Sequence, residues 1–388
     1  MSENDVESDV RVSMSNFTKI LLIQFVLTIL TGKALPNQNP LFKSNAATQF
    51  TSSVVYLVFG VVGSFIVWNF LPISVITLFF ATWLFTVAGA RKFQTEIHHQ
   101  IVHYRFSGNA NLDRVLAEVL STVLFTQDYT GYKIDHPNHH SKNLATTSDP
   151  DAQFLYYLGF KPGMTKSQLW KRLVVTILSP KYHLTFLFYR FKANFITAPF
   201  YRKVMSFVWI TVLGILTAHF GLATIFVTVI VPLTVLYQIS SLWQFLTEHR
   251  WFRTRKYFET QKNHIEKLTV GRFFGEVYPV KEKIIAKFYW ILKMIFYHGV
   301  LRLFVCPGTL PVHDAHHRMP GTKDWGNLIF VRQQDIDKGC GGWSDYEEVW
   351  GLFNMIDKNF EHFASLPEID ASGERICPPS PSEILLGM

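Results

Sequence analysis

The sequence predicts an all-α integral membrane protein, with four transmembrane helices arranged as two hairpins and a helical cap on the cytoplasmic side. Three observations predict it. Of 388 residues, 48% are hydrophobic and only 17% charged, whereas a soluble globular chain carries roughly 25% charged residues. Two stretches, 53–90 and 205–246, are each long enough for a pair of spans and contain no Lys, Arg, Asp or Glu, since one crossing needs about 20 residues at 1.5 Å each. Basic residues follow each stretch (Arg91, Lys92, Arg105 and Arg114; then Arg250, Arg253, Arg255 and Lys256) and are missing from both hairpin turns, and positive loops stay on the cytoplasmic side. Disorder, collagen and coiled coil are excluded.

The elements follow in chain order. Residues 1–16 are polar and acidic (Glu3, Asp5, Glu7, Asp9), the wrong sign for a signal peptide, and are expected to be a disordered tail. The apolar run 20–30, between Lys19 and Lys33, is too short to span and is expected to lie in the interface. The first hairpin turns near Asn69 and Pro72, the second near His219 and Gly221. Residues 91–204 and 247–388, and with them both termini, then share the cytoplasmic face. Amphipathic runs at 116–125 and 173–178 are expected to rest on the membrane surface or cap the spans. The run 284–306 is apolar but interrupted by Lys287, Lys293, His298 and Arg302; it reads as an interfacial helix, with a fifth span as the alternative. Ser344 followed by Glu347 resembles a capping box opening an amphipathic helix through Val349, Trp350, Leu352, Phe353 and Ile356. Cys306, Cys340 and Cys377 form no metal-binding spacing and require no oxidising compartment. The net charge of +8 suits anionic lipid head groups; nucleic acid is not expected, because the basic residues flank apolar spans rather than forming an aromatic-interleaved patch.

The chemistry lies in the histidines. Nine of the fifteen fall in three compact groups on the predicted cytoplasmic face: His98, His99 and His103; His136, His139 and His140; His313, His316 and His317. The last two groups share the pattern H-x-x-H-H, which a random chain of this composition would contain roughly 0.02 times. Residues three and four apart lie on one face of a helix, so their imidazoles converge. His249, just past the fourth span beside Glu248, lies at the depth where they meet. Eight or nine imidazoles exceed the four protein ligands of a single zinc site, so two metals are the natural count; imidazole by itself suits iron, copper, zinc or nickel. His183, His219, His264, His298 and His362 read as ordinary amphipathic side chains. Glu96, Asp135, Glu248 and Asp314 are candidates to accept an imidazole N–H and fix its tautomer.

Three boxes, H99-Q-I-V-H103, H136-P-N-H139-H140 and H313-D-A-H316-H317, interleaved with two apolar hairpins and followed after the second box by Thr147, Ser148, Asp149, Pro150 and Asp151, resemble the membrane fatty acid desaturase superfamily. The resemblance implies an O2-dependent centre of two iron ions. Its eight box histidines would be catalytic ligands (His99, His103, His136, His139, His140, His313, His316, His317), with His249 as the ninth. His98 with His103 would fit a longer H-x-x-x-x-H variant, but five residues is a poorer helical spacing than the four of His99 and His103. No His-Pro-Gly-Gly signature of a fused cytochrome b5 occurs, so the resemblance implies a separate electron donor of ferredoxin or cytochrome b5 type. It divides the chain into an N-terminal tail and interfacial helix (1–50), a membrane desaturase-like domain (51–325) and a cytoplasmic helical tail (326–388).

The implied reaction is insertion of a double bond into a lipid acyl chain, in a bacterial inner membrane or the endoplasmic reticulum. Ligand spacing leaves open a diiron hydroxylase or ketolase of an alkyl, sphingoid or carotenoid substrate. A metal-storing or transporting membrane protein would place ionisable residues inside its spans, and 53–90 has none.

Overall fold

The computed structural model describes residues 9–368 apart from 142 and 257. Residues 1–8 of the expected tail, and 369–388 with Cys377, lie outside the described residues. Among the described residues the chain is helical nearly throughout, and the only paired strands are the three-residue segments Gly271–Phe273 and Glu348–Trp350, which pair in parallel. Among the described residues, four helices are long and apolar enough to cross a membrane: Ala46–Phe70, Phe200–Phe220, Leu222–Glu248 and Ile284–Val305.

The first hairpin pairs Ala46–Phe70 with Leu78–Lys92. Asn45 opens the former with a reciprocal cap to Thr48, and the Leu71–Pro72 step ends it. Small residues let the two backbones approach, as lipid-embedded helices require in the absence of a hydrophobic drive between them. A Cβ on Gly89 would stand 2.5 Å from the Leu57 nitrogen, and Ser64 bonds Thr82 across the seam at 2.8 Å. The helix then runs on past Lys92 through a π-helical stretch, Phe93–His98, into His99–Val102. In the second hairpin Gly221, at φ 87°, makes the turn that a Cβ would strain. Trp83 donates to Val227 O at 3.0 Å and joins the two hairpins.

Two expectations change and one stays open. Residues 9–16 are not a disordered tail: Asp9 caps a helical turn, and Arg11 is fully buried, donating to Lys33 O, Gln24 and Thr28. An internal partner for nearly every guanidinium donor is what makes that burial tolerable. Ile284–Val305, expected in the interface with a fifth span as the alternative, is a continuous run of helix that is long and apolar enough for either by length and composition. Its charges are accommodated singly, Lys293 on Glu276 and Arg302 buried against Gly308 O. Ser344 and Glu347 form no capping box: Glu348–Trp350 is the strand, and the helix Leu352–Ser365 starts after Gly351 at φ 82°. Strand pairing took residues that the helical pattern had claimed.

The run 20–30 forms the helix Leu21–Thr31, about 16 Å long and too short to span; its face at Leu21, Leu22 and Val26 is exposed while Gln24, Leu27 and Thr28 are buried. The amphipathic runs lie in the helices Ala110–Val123 and Lys166–Leu178. Beneath the spans a core of Phe160, Leu246, Trp251, Phe252, Phe360 and Phe363 closes the cap, each such aromatic contributing about 1.5–3 kcal/mol on burial. Helix Leu352–Ser365 belongs to this core, and Asn359 donates to Leu246 O and His249 O at 2.7 and 2.9 Å. The C-terminal helix thereby fixes the backbone where the fourth span ends.

Candidate metal centre

Four segments bring the imidazoles together. His99 and His103 come from the helix that continues the first hairpin, and its π-helical stretch resets the register just before them; such stretches recur at functional sites because they rotate one face against the rest. His136, His139 and His140 end the helix Tyr129–His139, which Asp128 caps through Thr130 N and Gly131 N at 3.0 and 3.1 Å. His313, His316 and His317 occupy the helix His313–Arg318. His249 follows Glu248 in extended conformation and bridges to Thr269.

The nine nitrogens sort into two groups, each with ligand atoms within 4.8 Å of one another: His99, His103, His136, His140 and His316; and His139, His249, His313 and His317. In the first, Nε2 atoms face each other at 2.7 Å (His99 and His316), 2.9 Å (His103 and His136) and 3.2 Å (His103 and His316). In the second the pairs are His139 with His249 at 3.2 Å and His313 with His317 at 3.0 Å. The groups adjoin, with the His140 and His317 rings 4.4 Å apart. His98 joins neither: its ring lies against Tyr132 at 4.7 Å. His183, His219, His264, His298 and His362 are likewise outside both groups.

The donor set fits metal ions. Ring nitrogens that face one another without an intervening acceptor are lone pairs aimed at a common point, and His140 Nε2 is buried with no partner at all. Burial first, then mutual repulsion, holds His136, His140, His316, His313 and His317 well below the ordinary histidine range, and burial, then the Arg105 charge, holds His103 at about 4. These rings are neutral, the state in which imidazole binds metal. His139 departs from them. Burial pushes it down, but Asp149, accepting from Nδ1 at 3.0 Å, raises it to about 9. That bond leaves Nε2 of His139 to face the second group, the carboxylate–histidine arrangement that orients metal ligands. Asp149 is itself fixed by Ala145 N at 2.7 Å and Asp151 N at 3.0 Å.

Of the four carboxylates singled out from sequence, only Glu248 touches an imidazole, with Oε1 3.3 Å from His313 Nε2. Glu96 pairs with Lys92 and holds Thr309; Asp135 accepts from Gln127 at 2.6 Å; Asp314 pairs with Arg332 at 2.9 Å. Asp149 and Asp151, whose Oδ2 stands 3.5 Å from the same His139 Nδ1, were the carboxylates missed, although both stood in the run quoted after the second box. Arg332 also holds Glu348, and Glu348 holds Lys33, which pairs with Asp9. This chain of charges ties the N-terminal turn and the C-terminal strand to the back of the third box.

A cavity of about 230 Å³ opens beside both groups, with His99, His136, His139 and His313 at one part of its wall and Phe154, Phe186 and Phe245 at another. An apolar chamber bordered by convergent imidazoles, inside a membrane protein of helices, is a site that could hold metal ions beside an apolar ligand. The chain matches the fatty acid desaturase family over residues 77–335, two thirds of its length, and belongs to that family; no curated protein matches it.

Proposed function

We propose that this protein is a membrane fatty acid desaturase that inserts a double bond into a lipid acyl chain, using O2 and two iron ions held by nine imidazoles. The observation that carries the reading is the sorting of His99, His103, His136, His140 and His316 into one group and His139, His249, His313 and His317 into another, both on the wall of an apolar cavity. Iron ions held there supply the oxygen activation that breaking an unactivated C–H bond demands and that side-chain acid–base chemistry cannot provide. The chain's own residues do the rest. Burial keeps the imidazoles other than His139 neutral, Asp149 orients His139 through Nδ1, and Phe154, Phe186 and Phe245 exclude water from the methylenes. Electrons come from a separate ferredoxin or cytochrome b5 type of donor.

The test is expression of the protein and of His139→Ala in a host of simple lipid profile, with total fatty acids compared by gas chromatography and mass spectrometry. A new unsaturated species is expected only with the unaltered protein. A hydroxylated species instead would move the reaction to oxygen insertion, and full activity in the variant would remove the metal assignment. The imidazoles face the cytoplasm in this reading, so reporters fused at residues 71 and 220 are expected on the side of the membrane opposite to one at residue 160. Finding all three on one side overturns the topology.

A further inference from the structure

Two arginines line the same cavity and pair with none of the acids, Asp135, Asp151 and Glu248, that line it with them. Arg91 and Arg190 are buried, at 2% and 8% exposure. Arg91 donates through Nη1 to Ser241 Oγ at 2.9 Å and to Gln94 Oε1 at 3.2 Å, and its Nε has no partner. Arg190 donates through Nη1 to Leu233 O at 2.8 Å. Their guanidinium carbons stand 5.3 and 4.5 Å from the centre of one ring, that of Tyr237. Neutral acceptors and an aromatic face orient the two cations without neutralising them, and among the described residues neither forms an ion pair.

Their depth is fixed from two sides. Arg91 precedes His99 by eight residues on one continuous helix, and its partner Ser241 precedes His249 by eight at the end of another. At 1.5 Å per residue each path puts the arginine about 12 Å from the imidazoles, and both helices enter from the membrane. Ionisable groups at that depth are expensive and mark a substrate path. A purely hydrocarbon end lodged here would leave two guanidinium groups dry and unpaired, whereas an oxyanion would take charge-assisted hydrogen bonds from both.

We propose that Arg91 and Arg190 bind an oxyanion end group of the substrate, a carboxylate or a phosphate, at the membrane side of the cavity, while the alkyl chain runs back past Phe154, Phe186 and Phe245 to the imidazoles. This rests on the reading of the cavity as an acyl-chain site and deepens it: the substrate is an acidic amphiphile that enters polar end inward. A chain esterified to a bulky head group outside the protein would instead place its methyl end against the arginines.

The test is equilibrium binding to the purified full-length protein in detergent. The probes are saturated fatty acids from decanoic to octadecanoic, alkyl phosphates of the same lengths, and the fatty acid methyl esters as neutral controls. At one or more lengths an anionic series is expected to bind about tenfold or more tightly than the ester. The preference is expected to vanish in Arg190→Gln and Arg91→Gln and to persist in part in Arg190→Lys, with iron content unchanged. Preference for the acid identifies a carboxylate and preference for the alkyl phosphate identifies a phosphate. Absence of any preference or any binding at every length overturns the proposal, as does a preference that survives in both Gln variants. Because binding is read without turnover, an anion preference in a protein that makes no unsaturated product would count against the catalytic reading and not against this one.

Discussion

The two imidazole groups are built from the same side chain and differ in what stands behind it. Among the described residues the group of His99, His103, His136, His140 and His316 has no carboxylate on any ring, and burial, mutual repulsion and, at His103, the Arg105 charge hold its rings down. The group of His139, His249, His313 and His317 has Asp149 behind His139 and Glu248 beside His313. Carboxylates in that position raise ligand basicity and favour higher positive charge on a bound ion, so two metals here would be inequivalent. Identical motifs, H-x-x-H-H in the second and third boxes, therefore do not make identical sites: each of these two boxes donates to both groups, whereas the first donates to one.

The sharpest way to break the comparison is to remove one imidazole from each side. His139→Ala and His316→Ala are each expected to abolish activity and to lose roughly half the bound iron, read by metal analysis of the purified protein; loss of all iron in both would show that the groups fill only together. Next in size is Asp149→Asn, expected to weaken metal at the second group roughly 10- to 100-fold while sparing the first. Equal loss from both groups would refute the asymmetry. Glu248→Gln keeps the shape that Gln244 holds at 3.1 Å but removes the charge beside His313, so about tenfold weaker metal at the second group is expected. The smallest effect belongs to His362→Ala, which loses one bond to Trp251 O at 3.0 Å and about 1 kcal/mol of stability, with iron and activity unchanged.

Much of this was legible in the chain because the signals are local. Spans announce themselves by length and missing charge, and box histidines by spacing on a helix. Contacts between distant segments were not legible. Arg91 and Lys92 read as positive loop residues that set orientation, yet both are buried in the helix, Lys92 against Glu96 and Gln49 and Arg91 in the cavity. Glu96, Asp135 and Asp314 stood as near the boxes in sequence as Asp149 did, but only the fold shows that they face lysine, glutamine and arginine.

The sequence by itself determined an all-helical membrane protein with the histidines gathered at the ends of its hairpins, since hydropathy and helical period act over one or two turns. Tertiary structure decided which imidazole meets which, that His99 rather than His98 enters the first group, and that residues 348–350 pair as a strand. Those outcomes depend on register and on pairing between segments up to some 200 residues apart in the chain, such as His99 and His316. A π-helical stretch of six residues rotates a whole face of the helix beyond it, and no pattern within the first box reports that rotation.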